Sequence, residues 1–223
     1  MEATAVPALR DRLLQIARAK VEESGPEALR ARSLTAEAGT STQSLYTLFG
    51  GMPGLLDALV ADGFDQFASY VAAVEETEDP VADFFAKGWT YAEWALAHPQ
   101  LYRLMFGLTG GDLRHHAGLE VALAGSIANT PQAQRSVDVL VNSMRRVTES
   151  GRLEPIDPVI AASQFLSATH GYVLLQAGGV FGGDEQSLSV IGGFGVNLMV
   201  GMGDERGRAT ESLQKAIESF SVP

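Results

Sequence analysis

The sequence contains no cysteine. Disulfides, thiolate metal sites and cysteine nucleophiles are thereby excluded, and a reducing cytoplasm suits such a chain. The opening residues, MEATAVPALRDR, hold no apolar run of the kind a secretory leader needs. No stretch alternates apolar and polar residues as a half-buried strand would, and no internal repeat is visible. There is no Gly-rich phosphate loop between a strand and a helix, and no nucleophile elbow. Basic charge is scarce: 16 Lys and Arg face 27 Asp and Glu, for a net charge of −11 over 223 residues. That balance argues against broad affinity for nucleic acid.

The deficit is uneven. Residues 1–60 carry six basic and seven acidic side chains, so the acid excess lies in the rest of the chain. Arg10, Arg12, Arg18, Lys20, Arg30 and Arg32 all fall in this near-neutral first part. The pattern fits a polyanion-facing head on an acidic body. Apolar spacing throughout is helical, and the predicted fold class is all-α. Leu9, Leu13, Ile16, Ala17 and Val21 form one stripe that ends at ESGPE. ALRARSLTAEA forms a second helix, closed by Gly39, and Ser41 is a good N-cap for a short third helix through Leu48. Pro53 opens a long helix over 53–75, with Leu56, Val60, Phe64, Phe67 and Val71 on one side. Aromatic-rich helices follow, then helices through EVALAGSIAN and QAQRSVDVLVNSMRRVTESG, two apolar segments, and a polar closing helix near 205–220.

Three short helices with a tight turn at Gly39 make a helix-turn-helix unit. Leu34, Ala38 and Leu45 brace the second helix on the third, and the third presents short donors and acceptors of the kind that read base edges in a major groove. The residues expected to meet DNA are Thr40, Ser41, Thr42, Gln43, Ser44, Tyr46 and Thr47. The stretch LTAEAGTSTQSLYTLFGGMPGLLDAL resembles the DNA-binding region of the TetR family of bacterial transcriptional regulators, and the resemblance implies a place near the DNA backbone or minor groove for Arg32. It keeps that pattern at Ala38, Gly39, Ser41, Ser44, Leu45, Tyr46, Phe49, Leu55 and Leu56. It departs from it at Thr40, usually apolar, at Leu48, usually His or Tyr, and at Met52, usually a Lys that touches a phosphate. The loss of one such contact lowers affinity and flattens the salt dependence by about one unit of slope.

The resemblance continues in HPQLYRLMFG and in the His170–Gly171 pair, which are similar to one group of TetR-type C-terminal domains. It implies a head over 1–52 and a helical ligand-binding and dimerisation domain over 53–223. Aromatic crowding in this body suits an apolar pocket with a few polar groups. Phe85, Trp89, Trp94, Tyr102, Met105, Phe106, Gln164 and His170 are the candidate ligand residues; each aromatic has plain core packing as its alternative role. DLRHH brings Asp112, His115 and His116 together, but adjacent loop histidines rarely share one ion, and neither metal nor cofactor is expected.

Residues 158–183 and 186–203 contain no Asp, Glu, Lys or Arg. Gln164, Ser167, Thr169, His170 and Gln176 are costly in hydrocarbon, and no basic collar flanks the segments, so a membrane span is not expected. A helix apolar on nearly every side must be buried on nearly every side. Two copies can satisfy that by packing at a two-fold axis, as the last two long helices of TetR regulators do. Phe165, Tyr172, Leu175, Gly179, Ile191, Phe194 and Leu198 are the expected interface residues. The expectation is a cytoplasmic, dimeric, non-enzymatic, ligand-responsive transcriptional regulator, a repressor with a double-stranded DNA operator and a small-molecule effector as partners. The alternative is an all-helical small-molecule binder or enzyme with a vestigial head. Light scattering at micromolar concentration is expected to give a dimer; a monomer would contradict the interface assignment.

Overall fold

The computed structural model describes residues 5–108 and 130–220. The segment DLRHH and the helix expected through EVALAGSIAN lie outside the described residues. Among the described residues there are ten α-helices and no strand: α1 (Ala5–Ser24), α2 (Ala31–Glu37), α3 (Thr42–Phe49), α4 (Met52–Ala72), α5 (Pro80–Ala97), α6 (Pro99–Met105), α7 (Pro131–Glu149), α8 (Pro158–Ala177), α9 (Asp184–Gly201) and α10 (Arg206–Phe220). One 3₁₀ turn, Pro26–Ala28, joins α1 to α2. The all-α expectation holds. Five of these helices have proline as their first or second residue (α4, α5, α6, α7 and α8), where its missing N–H costs nothing.

The described residues pack as two units. The first comprises 5–66, 98–108 and 130–133; the second comprises 67–97 and 134–220. The sequence boundary at 52/53 thus differs from the packing boundary, because the first part of α4 and all of α6 pack with α1–α3.

In the first unit, Leu13, Ala17, Val21, Leu34, Leu45, Leu55 and Leu59 are sealed from solvent. The α2–α3 turn is a Schellman closure: the Gly39 N–H donates to Ala36 O at 3.1 Å and the Thr40 N–H to Thr35 O at 2.8 Å. Gly39 has φ of 67°, a conformation other residues adopt only with strain. Gly54 serves differently. A Cβ there would stand 1.7 Å from the Phe49 carbonyl oxygen, so only glycine lets α4 start so close behind α3. Ion pairs Arg18–Asp62 (3.2 Å), Lys20–Glu37 (2.7 Å) and His98–Glu22 (2.8 Å) tie α1 to its neighbours.

In the second unit, Phe84, Phe85, Met144, Val147, Ala162, Phe165 and Met199 belong to one apolar core. The rings of Phe84 and Phe165 meet edge to face at 4.8 Å. The link between α4 and α5 is held by charge. Asp83, fully buried, accepts from the Thr77 N–H (2.9 Å), the Thr77 hydroxyl (2.7 Å) and Arg146 (2.8 Å). Arg146 also donates to Thr77 O at 2.9 Å. The buried Lys87 ammonium donates to Glu76 at 2.9 Å, and that bond, with the Lys87 charge, lowers the Glu76 pKa. Nearby, Asp79 accepts from Ser212 and Lys215, and Arg152 grips Asp204 at 2.6 and 2.8 Å. Hydrogen bonding and the Asp204 charge raise the Arg152 pKa against its desolvation. Removal of one partner from such a buried pair strands the other. Asp83→Ala is expected to cost about 3 kcal/mol in denaturant unfolding, whereas Gln214→Ala, on the exposed side of α10, changes stability by less than about 0.5 kcal/mol.

Candidate nucleic-acid interface and effector core

The N-terminus of α3 is built by hydroxyls. The Ser44 N–H donates to Ser41 Oγ at 3.4 Å, and the Thr40 hydroxyl donates to Ser44 Oγ at 2.8 Å. Three of the expected DNA contacts, Thr40, Ser41 and Ser44, are therefore engaged in closing the turn. Thr40, where the TetR pattern is apolar, takes a hydrogen-bonding place in that closure. The remaining residues stand outward: Thr42, Gln43, Tyr46 and Thr47 are exposed, Tyr46 to 61%. Thr47 donates back to Gln43 O at 3.0 Å, which leaves its lone pairs and methyl group facing out. Arg32, on α2, is exposed as well. Phe49 is half-buried, and the Arg10 guanidinium lies 5.1 Å from its ring centroid. That stacking fixes a cation of α1 beside the end of α3.

The candidate ligand residues divide between the units. In the first, Tyr102 and Met105 are fully buried. Tyr102 packs on Phe106 at 4.5 Å, and Phe106 meets Phe64 at 5.8 Å. Met105 fills the space that the absent side chain of Gly63 leaves. In the second unit, Trp94 is buried edge-on to Phe67 at 5.3 Å, and Tyr91 contacts the same ring at 4.8 Å. Phe85 lies against Gly195. Trp89 is half-buried and packs on Phe220 at 6.1 Å. Gln164 does not enter this core; it is exposed on α8. His170 is half-buried, and desolvation lowers its pKa. Among the described residues no group of three His, Asp or Glu side chains could hold a metal ion.

The expected interface residues split by helix face. Phe165, Tyr172 and Ile191 are buried within the chain, and Phe194 and Leu198 are half-buried. The Tyr172 hydroxyl bonds to Ser187, and its ring stacks on Phe181 at 5.6 Å. Only Leu175 and Gly179 are exposed. The outer side of α8 instead carries Ile160, Gln164, Ser167, Gly171, Leu174 and Leu175, at spacings of three and four residues. On α9 the outer side carries Gln186, Val190, Gly193 and Asn197. The sequence pattern does not say which side of α8 turns inward, because the helix is apolar almost all round. Sequence reasoning missed Asp83 and Arg146, whose pairing across 63 positions leaves no local signal.

With this geometry established, comparison with known proteins gives the fold a context. Residues 84–190 match the family model described as the tetracyclin repressor-like C-terminal domain. No curated protein matches the sequence. Among solved structures, a protein of unknown function from Rhodococcus sp. RHA1 is 26% identical with a TM-score of 0.70, over 87% of this chain and 95% of that one. RolR in complex with resorcinol is 16% identical with a TM-score of 0.65, over 100% of this chain and 97% of RolR. AibR in complex with isovaleryl coenzyme A and operator DNA is 18% identical with a TM-score of 0.56, over 86% of this chain and 98% of AibR. The chain shares their fold from head to body. Among the described residues no single helix is long and apolar enough to cross a membrane.

His170 offers a pH test of this placement. Its folded pKa lies below the ordinary value of 6.5, so the native state binds fewer protons than the unfolded chain. Its contribution to stability is present above that value and is lost as pH falls through the folded pKa. The melting temperature is expected to drop on acidification below pH 6.5, and His170→Gln is expected to make that drop shallower.

Proposed function

We propose that the chain is a ligand-responsive transcriptional regulator, acting as a homodimeric repressor that a small, largely apolar or aromatic effector releases from a palindromic operator. The observation that carries the reading is the outward face of α3, where Thr42, Gln43, Tyr46 and Thr47 are exposed around a helix braced by buried Leu34 and Leu45. One such helix covers only a few base pairs. A two-fold pair reads half-sites about 34 Å apart, one turn of duplex. Arg32 and the Tyr46 hydroxyl supply phosphate contacts, which position the head without reading sequence. The outer seam of α8 and α9, uncharged and exposed in one chain, is the surface assigned to the partner copy. The family model over the body and the shared fold with AibR on operator DNA support this reading.

RolR holds resorcinol, a small aromatic, which supports an effector of similar character here. The aromatic core of the second unit and its half-buried His170 suit such a molecule. Release requires that the effector bind the DNA-free arrangement better than the DNA-bound one. The change in DNA affinity can be no larger than that difference.

Met52, in place of the lysine usual in the TetR pattern, and the net charge of −11 favour a second reading, a small-molecule binder with a vestigial head. Retardation of a duplex from the protein's own promoter region, at two salt concentrations, separates the two. Specific, salt-sensitive retardation is expected; no retention even at low salt would favour the second. Within the first reading, Arg32→Ala weakens binding to all sequences alike. Gln43→Ala relaxes preference at one position per half-site, by about 1–3 kcal/mol. If both variants match the wild type, α3 is not the reader.

A further inference from the structure

A groove of about 680 Å³ lies in the second unit, between the loop that follows α4, the start of α5 and the end of α10. Its size is within the range that small-molecule sites occupy. It contains none of the candidate effector residues. Its floor is apolar: Val74, Ala82, Ala86 and Ala216 line it, the three alanines buried. Phe220 closes one wall, 41% exposed and backed by the indole of Trp89. An aromatic ring left this open, beside an apolar floor, is a surface that water covers at a cost.

The charge around the floor is of one sign. Glu75, Glu78, Asp79 and Asp83 line the groove, against a single cation, Lys215. Two of these carboxylates are already committed. Asp83 accepts from Thr77 and Arg146. Asp79 accepts from Lys215 at 2.8 Å, from the Ser212 hydroxyl, which lies 3.0 Å from each of its oxygens, and from the Ala82 N–H at 3.1 Å. Lys215 is paired with Asp79 and lies at the exposed edge, so the lining keeps an excess of carboxylates over cations. Glu75 and Glu78 are exposed and have no ion-pair partner among the described residues. An occupant must therefore cover apolar surface and bring positive charge to the rim.

We propose that this groove binds a lipophilic monocation, a quaternary or protonated amine class of ligand, with its apolar body on Val74, Ala82, Ala86 and Phe220 and its charge beside Glu75 and Glu78. The exposed ring of Phe220 adds a cation–π contact, worth most where water is displaced. The carboxylates are solvent-facing, so their attraction is modest and screened by salt. The apolar floor supplies the remainder of the affinity. An anion of the same shape meets two uncompensated carboxylates and is rejected. The site does not depend on the regulator reading, because none of its residues belongs to the DNA-facing helix or to the outer seam.

Tetraphenylphosphonium and tetraphenylborate, matched in shape and opposite in charge, provide the test. Calorimetric titration of the full chain is expected to show the cation binding once per chain and weakening as salt rises, with the borate binding at least tenfold more weakly. The double variant Glu75→Gln and Glu78→Gln is expected to lose about tenfold in cation affinity. Both side chains are exposed, so its melting curve should match the wild type. Phe220→Ala is expected to weaken the cation while leaving the salt slope in place. Equal binding of the two ions, absence of cation binding, or an unchanged affinity in the double variant would overturn the proposal. Duplex retardation by the same double variant should equal the wild type, so a failure here and a failure of DNA binding are read separately.

Discussion

The side of α8 that carries Ile160, Leu174 and Leu175 leaves apolar side chains in water, and the opposite side of the same helix is already occupied by Phe84, Phe85 and the rest of the core. A helix with no charge over its length has no face that prefers solvent. This constraint reaches every later step of the functional reading. A second copy, as proposed, would supply a surface of matching character by symmetry. In the proposed dimer, Gly171, Ser167 and Gln164 would let two backbones approach and still leave polar atoms to be matched.

The body meets the opposite demand with charge. Its α4–α5 link is short, acidic and close to three other helices, and on its own it would repel itself. Arg146, Lys87, Arg152 and Lys215 each take one or more of its carboxylates or of their neighbours. Such pairs add little net energy over an apolar substitute, but they are costly to break and strict about geometry. These contacts tie the link to α7 and α10 beside the groove. The unpaired Glu75 and Glu78 are what remains once that internal demand is met.

The head was legible because its signals are local. Gly39, Ser41 and the spacing to Leu45 each report on a few bonds within a dozen residues, and the Schellman turn formed where Gly39 placed it. The use of the hydroxyls was not legible. Thr40, Ser41 and Ser44 look like base readers by type, yet they bond to one another because the turn brings them within 3.5 Å. In the body, the number and order of the described helices followed from apolar spacing and proline. The inward face of α8 did not, because uniform apolarity erases the phase of the pattern, and Phe165 and Tyr172 turned to their own core. Aromatic residues had the same ambiguity. Tyr102 and Met105 are buried in the first unit, and nothing in their type separates packing from a pocket wall.

The two tryptophans occupy contrasting surroundings. Trp94 is sealed edge-on against Phe67, and Trp89 keeps part of its indole in water beside Phe220. The intrinsic emission of the protein is therefore a sum of a blue component and a redder one. A spectroscopist can follow the end of α10 through one colour and the packing of α4 on α5 through the other, with no label added.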